Sequence, residues 1–182
     1  KVECNQGAPQ VAYKEALTAT IENDELFKKQ TGGRGKYAEI VFDIGPADEG
    51  VTGLQFEDDV KGGNIPKEYM PAVKKGFAAA LENGPLAGYP VQSAKIVVTD
   101  GSYHDVDSDS MSFEICARIG FREAARKASP ALLEPIMTIE VVTPDEYMGD
   151  IVGDLNRRRG QIENMDSRND GKVIRAKVPL SE

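Results

Sequence analysis

The sequence contains no tryptophan, one histidine and two cysteines among 182 residues, and each shortage removes a class of chemistry. Two cysteines, Cys4 and Cys116, are too few for a disulfide framework and lack metal-site spacing. Cys116 falls inside a helical pattern as a small core residue, compatible with a reducing cytoplasm, which is the expected compartment. His104 has no Ser or Cys nucleophile beside it, so a catalytic triad has no support. No run approaches the roughly 18 apolar residues of a membrane span, and no signal-peptide pattern opens the chain. Cations are scarce as well: 22 Lys and Arg stand against 30 Asp and Glu, for a formal charge of −8. That excludes a general nucleic-acid coat, whose sequence-independent affinity comes from Lys and Arg.

What is present describes a globular chain: 40% hydrophobic and 29% charged residues, enough for one large domain or two small ones. It begins Lys1-Val2-Glu3-Cys4 without Met, as expected of a piece of something longer. The cations are concentrated. Lys28, Lys29, Arg34 and Lys36 surround one Gly-rich stretch, and Arg157-Arg158-Arg159 form a second cluster. An acidic body with basic points suits local contact with an anionic partner.

Two polar stretches organise the rest. Residues 100–108, Asp-Gly-Ser-Tyr-His-Asp-Val-Asp-Ser, have almost nothing apolar to bury and follow a β-branched strand pattern at 94–99. Residues 30–36, Gln-Thr-Gly-Gly-Arg-Gly-Lys, join an arm at 21–30 to an alternating strand at 37–44. At about 3.3 Å per residue such a hairpin could project about 30 Å. Between these tips lie a short strand at 54–57 and a helix opened by Pro66 and Pro71. The helix carries a stripe of Tyr69, Val73, Phe77, Ala80 and Leu81, and Asn83-Gly84-Pro85 stops it. Residues 110–128 fit both periods, and length favours a helix with Ser108 or Asp107 as N-cap. Beyond Pro130 the pattern reads β–α–β–β: a strand at 135–142, a helix ending near 158–160, and strands at 161–165 and 172–179. Asn169-Asp170-Gly171 forms the last turn. Three strands and one helix leave a sheet face half covered. Exposed apolar surface, and with it self-association, is the expectation there.

Several motifs fail on inspection. Residues 31–37 resemble a phosphate-binding loop, but Tyr37 stands where a Ser or Thr must follow the Lys. Asp105-Val106-Asp107-Ser108-Asp109 resembles the start of a calcium loop, yet Ser110 replaces the required Gly and Cys116 the closing Glu. A helix N-cap cluster explains those carboxylates, and no metal site is expected. Beside Tyr103, His104 reads either as an exposed loop residue or as a ring able to stack on RNA. Arg157, Arg158 and Arg159 complement a helix C-terminus, but three adjacent residues cannot share one face, so at least one points outward.

The strings Gln30-Thr31-Gly32-Gly33-Arg34-Gly35-Lys36-Tyr37, Asn64-Ile65-Pro66-Lys67-Glu68-Tyr69, Leu86-Ala87-Gly88-Tyr89-Pro90 and Asp100-Gly101-Ser102-Tyr103-His104-Asp105-Val106-Asp107-Ser108 occur in that order. Leu133-Glu134-Pro135-Ile136-Met137, Tyr147-Met148-Gly149-Asp150, Gly153-Asp154-Leu155-Asn156-Arg157-Arg158-Arg159-Gly160 and Val178-Pro179-Leu180-Ser181-Glu182 follow. Together they cover nearly the whole chain and resemble the C-terminal portion of the bacterial elongation factor G family.

The resemblance implies an α+β chain. Residues 1–128 would be the family's fourth domain, like the second domain of ribosomal protein S5. Residues 129–182 would be the front half of its fifth, a truncated ferredoxin-like βαββ unit. It implies that the positions matching the two tip loops reach the small-subunit decoding region during translocation of tRNA and mRNA. These are Gln30, Thr31, Gly32, Gly33, Arg34, Gly35 and Lys36 in one loop and Ser102, Tyr103, His104 and Asp105 in the other. Arg157, Arg158 and Arg159 match a region facing large-subunit RNA. GTP and magnesium would serve the full-length GTPase, not this stretch, which would make or break no bond. The rival readings are a phosphotransferase or nuclease on an S5-like scaffold using His104 and Asp105, a paralogous ribosome-protection factor, or a protein-binding module.

Overall fold

A computed structural model describes every residue except Lys1, Gln6, Thr31 and Asp170. Thr31 of the first tip and Asp170 of the last turn therefore lie outside the described residues. The chain divides into two compact units, Lys14–Leu133 and Lys1–Tyr13 with Glu134–Glu182.

The first unit contains β1 (Lys14–Leu17), β2 (Ile21–Lys29), β3 (Lys36–Gly45), β4 (Gly53–Asp58), α1 (Met70–Ala80), β5 (Ser93–Ser102), α2 (Ser110–Lys127) and β6 (Pro130–Leu133). Its main sheet runs β2-β3-β5-β4, with β4 parallel to β5 across the α1 crossover and the other pairs antiparallel. Alternation in β3 buries Ala38, Ile40, Phe42 and Ile44, while β5 buries Ala94, Ile96 and Val98. Val73 and Phe77 of α1 and Phe113, Cys116, Ala117 and Phe121 of α2 complete this core. Phe42, Phe77, Phe113 and Phe121 are fully buried, each contributing about 1.5–3 kcal/mol by area removed from water. The helices approach closely at Gly76, where a Cβ would sit 2.5 Å from the Glu114 carbonyl oxygen. Pro71 occupies the start of α1, where no amide partner is lost.

The hairpin of β2 and β3 is not a free arm. β3 has β5 on its other side up to the Glu39–Ser102 pair, so the sheet backs the hairpin nearly to its turn. A bulge at Thr99 shifts the register between Val41 and Phe42 and carries β5 on through Ser102. Residues 100–102, read from the sequence as loop, thus belong to the strand, because β3 offers them a ladder.

β1 pairs with β6, a contact between four-residue strands more than a hundred positions apart. It seats Glu15, which is fully buried. The Glu15 carboxylate accepts from the amides of Leu86 (2.9 Å), Ala87 (2.8 Å) and Tyr89 (3.2 Å), holding the 84–90 loop around itself. A buried carboxylate satisfied by three backbone donors is a structural clamp.

The second unit holds β7 (Ile136–Thr143), α3 (Met148–Arg157), β8 (Gln161–Arg168) and β9 (Gly171–Pro179) in the order β7-β9-β8, both pairs antiparallel. Leu155 of α3 packs on Ile174, Ala176 and Val178 of the central strand. Met137 and Met165, paired across from Val178 and Ile174, are half exposed on the same sheet face.

Candidate nucleic-acid interface

The two loops read as tips meet at one end of the first unit. β5 delivers Ser102 beside β3, and α2 starts immediately after the second loop, so strand and helix fix both its ends. A set of polar contacts ties the loops together. Gly35 N donates to Asp107 Oδ1 (3.0 Å) and Tyr37 N to Asp107 O (3.0 Å). Arg34 Nε donates to Val106 O (2.8 Å), and Ser108 Oγ to Tyr37 O (2.7 Å). The Tyr37 hydroxyl meets Ser102 Oγ at 2.8 Å, and Lys36 Nζ binds Asp109 Oδ2. Gly35 eases this approach, since a Cβ there would lie a tight 3.0 Å from the Asp107 carboxylate.

These contacts correct the expected helix cap. Asp109 is the N-cap of α2, its Oδ1 accepting from Ser112 N at 2.7 Å and Ser112 Oγ at 2.6 Å. Asp107 and Ser108 are unavailable because both latch onto the first loop. Burial pushes the Asp109 carboxyl up, but the Lys36 ammonium and Ser112 override it and hold the group at about 2.

His104 is oriented by its own loop. The amides of Val106 (3.3 Å) and Asp107 (3.2 Å) donate to Nδ1. In the neutral ring this assigns the proton to Nε2 and leaves that N–H as an outward donor. The His104 side chain is 56% exposed and Tyr103 44%. Asp105 is exposed, and the imidazole takes its bonds from the two residues after it instead. Gln30, Gly32, Gly33 and Arg34 are exposed on the facing loop, whereas Gly35 is buried and Lys36 partly so.

The charge at this end differs from its composition. Arg34 Nε and Lys36 face a carbonyl and a carboxylate of the second loop, so less of the first loop's charge is presented than its letters suggest. The amide and ammonium that a phosphate-binding loop would offer are occupied by Asp107 and Asp109. No group of three or more His, Cys, Asp or Glu able to hold a metal ion occurs among the described residues.

Sequence reasoning missed a third segment here. Gly62, Gly63 and Asn64 line an open cleft of about 520 Å³ with Gly101, Ser102 and Tyr103. Asn64 Nδ2 donates to Asp100 Oδ1 at 2.7 Å, which with the Gly101 amide lowers the Asp100 pKa. It also missed Tyr37, Asp107 and Ser108 as the latch. The available signal was a run holding more acceptors than one helix cap can use.

Arg157, Arg158 and Arg159 belong to the second unit and form their own cluster. Arg159 lies past the end of α3 with φ 55°, a conformation that favours glycine, and Gly160 N closes the helix on Leu155 O at 2.8 Å. The Arg159 fork grips Glu134 at 2.7 and 3.1 Å and reaches Glu182 at 2.7 Å. These hydrogen bonds raise its pKa and lower that of Glu134. Arg158 holds Asp154 at 2.8 Å and the Glu182 carbonyl. Arg157 donates to Asp154 at 3.3 Å, yet with 79% of its side chain exposed it is the one that points outward.

Comparison with known proteins matches residues 9–129 to the family model "Elongation factor G, domain IV" and residues 131–182 to "Elongation factor G C-terminus". Elongation factor G of Amoebophilus asiaticus is 62% identical over 182 residues, and that of Cytophaga hutchinsonii 58% over 182. Each match covers 100% of this chain and 26% of the relative, so the chain spans about a quarter of their length. A crystal structure of a protein from Thermus thermophilus superposes with a TM-score of 0.84 at 39% identity, over 97% of this chain and 26% of that one. The α+β architecture implied by the resemblance is the one these matches share, and the enzyme readings find no support in them. The chain belongs to the elongation factor G family, whose domain IV and C-terminal regions it represents.

Proposed function

We propose that the latched end of the first unit enters the decoding region of the small ribosomal subunit and keeps tRNA and mRNA paired while they move. The observation that carries this reading is the cross-loop latch. It builds one rigid end from residues about 70 positions apart and leaves Tyr103, His104 Nε2–H and the terminal nitrogens of Arg34 facing out. Aromatic and imidazole rings with outward donors suit unstacked bases and ribose hydroxyls. Gln30 to Lys36 and Ser102 to Asp105 are the contacting segments, with Thr31 included on the resemblance alone. Lys36 acts chiefly as a brace.

The action is mechanical and electrostatic, with no bond made or broken by this chain. GTP hydrolysis with magnesium belongs to the whole cytoplasmic factor. We assign residues 1–128 to the fourth domain and 129–182 to part of the fifth, with Arg157 as its contact to large-subunit RNA. Met137 and Met165 beside α3 support self-association of this chain in isolation.

The test is His104→Ala with Arg34→Ala in the full-length factor. Single-round translocation should slow about tenfold or more, a barrier increase of about 1.4 kcal/mol, while ribosome-dependent GTP hydrolysis persists. Equal loss of both activities would overturn the reading.

A further inference from the structure

We propose that the outer face of α2 is a second binding site, for the phosphate backbone of an RNA strand. Arg118, Arg122 and Arg126 recur every four residues, which places them on one helical face at steps of about 6 Å. All three line one cavity of about 310 Å³ together with Phe121, Asn83 and Pro85.

Ion pairing does not use up this charge. Arg118 binds Glu114 at 2.6 Å, but Glu114 already holds Lys75 at 3.0 Å and so serves two cations. Arg126 stands 3.7 Å from Glu123. Arg122 has no ion-pair or hydrogen-bond partner among the described residues. Lys75, Arg118, Arg122 and Arg126 therefore share two carboxylates, Glu114 and Glu123. Such an excess, on a chain of formal charge −8, is a local departure that a solvated helix face does not require.

Chemistry selects the ligand. Guanidinium forks bind phosphate oxygens bidentately and lose little hydration in doing so. A row about 12 Å long suits a strand of phosphates better than one small anion, which would engage a single fork. The choice of RNA over an acidic protein rests on the reading of the tip. α2 begins at the latch with Ser110 and runs away from it for about 27 Å, so a strand held at the tip can follow the helix.

The experiment uses the 182-residue chain and a fluorescein-labelled single-stranded oligouridylate, with anisotropy read across a salt series. Three neutralised phosphates should give a slope of log K against log salt of about −2. Arg118→Gln with Arg122→Gln and Arg126→Gln should flatten that slope and weaken binding about tenfold or more. Circular dichroism checks that the fold is retained. The corresponding triple Lys variant keeps the charge and should keep the slope. His104→Ala leaves the three arginines of α2 in place, so a loss of affinity at unchanged slope reports the tip, and a loss of slope reports α2. Unchanged slope and affinity in the triple Gln variant would overturn the proposal. So would absence of RNA binding by the parent chain, or equal competition by polyglutamate.

Discussion

At the tip, two cations and an amide from one loop are met by acceptors from another: Lys36 by Asp109, Arg34 by the Val106 carbonyl and the Gly35 amide by Asp107. In the turn after α3, Arg158 and Arg159 are met in the same way by Asp154, Glu134 and Glu182. Both stretches look like basic contact points when read as letters, and in both the charge serves first as a joint. They differ in what is left over. The tip leaves the rings of Tyr103 and His104 and the outer nitrogens of Arg34 outside, whereas the turn leaves the Arg157 guanidinium, held only by Asp154. The contrast shows that a run of basic letters locates a junction, while an unbalanced surface must be found from side-chain partners, as on α2.

The largest effect that would sharpen this contrast is at Asp109, which caps α2 and pairs with Lys36 together. Asp109→Ala should cost about 1–2 kcal/mol in urea unfolding, and Asp109→Asn, which keeps a capping oxygen, distinctly less. The two costs being equal would mean that the ion pair alone matters. Because the folded carboxyl is held at about 2, below the ordinary 3.8, its stabilisation is present above the ordinary value. It is lost as pH falls from 3.8 towards about 2, and Asp109→Ala should lack that part of the acid dependence. A smaller effect is expected at Arg159, whose ion pairs are exposed. Arg159→Ala should lower the urea midpoint slightly. Arg159→Gly should recover part of that loss, because glycine accepts a φ of 55° without strain. A glycine variant less stable than the alanine one would show that the left-handed turn is not where the difference arises.

Much of the fold is legible in the residues. Alternation at 37–44 marks β3, the proline-opened stripe marks α1, and length separates helix from strand over Ser110–Lys127. The legible part ends where long-range pairing decides. β1 and β6 are too short to carry a period, and Glu15 reads like any solvated acid until its amide partners arrive from 86–89. Asp107, Ser108 and Asp109 are equivalent caps by local rules, and only the first loop distinguishes them. The two tips are visible as polar stretches. Their union depends on Tyr37, whose role the sequence conceals because a tyrosine within a strand is an ordinary sheet residue.

The most direct test of the joined tip is hydrogen exchange at the amides of Gly35 and Tyr37, both of which donate to Asp107 across the loops. We expect both to exchange about a hundredfold more slowly than an open chain, and to lose that protection when Asp107→Ala removes one acceptor and loosens the second loop. Exchange of both amides at open-chain rates, with Ile40 in β3 still protected, would mean two independent fingers and would contradict the account.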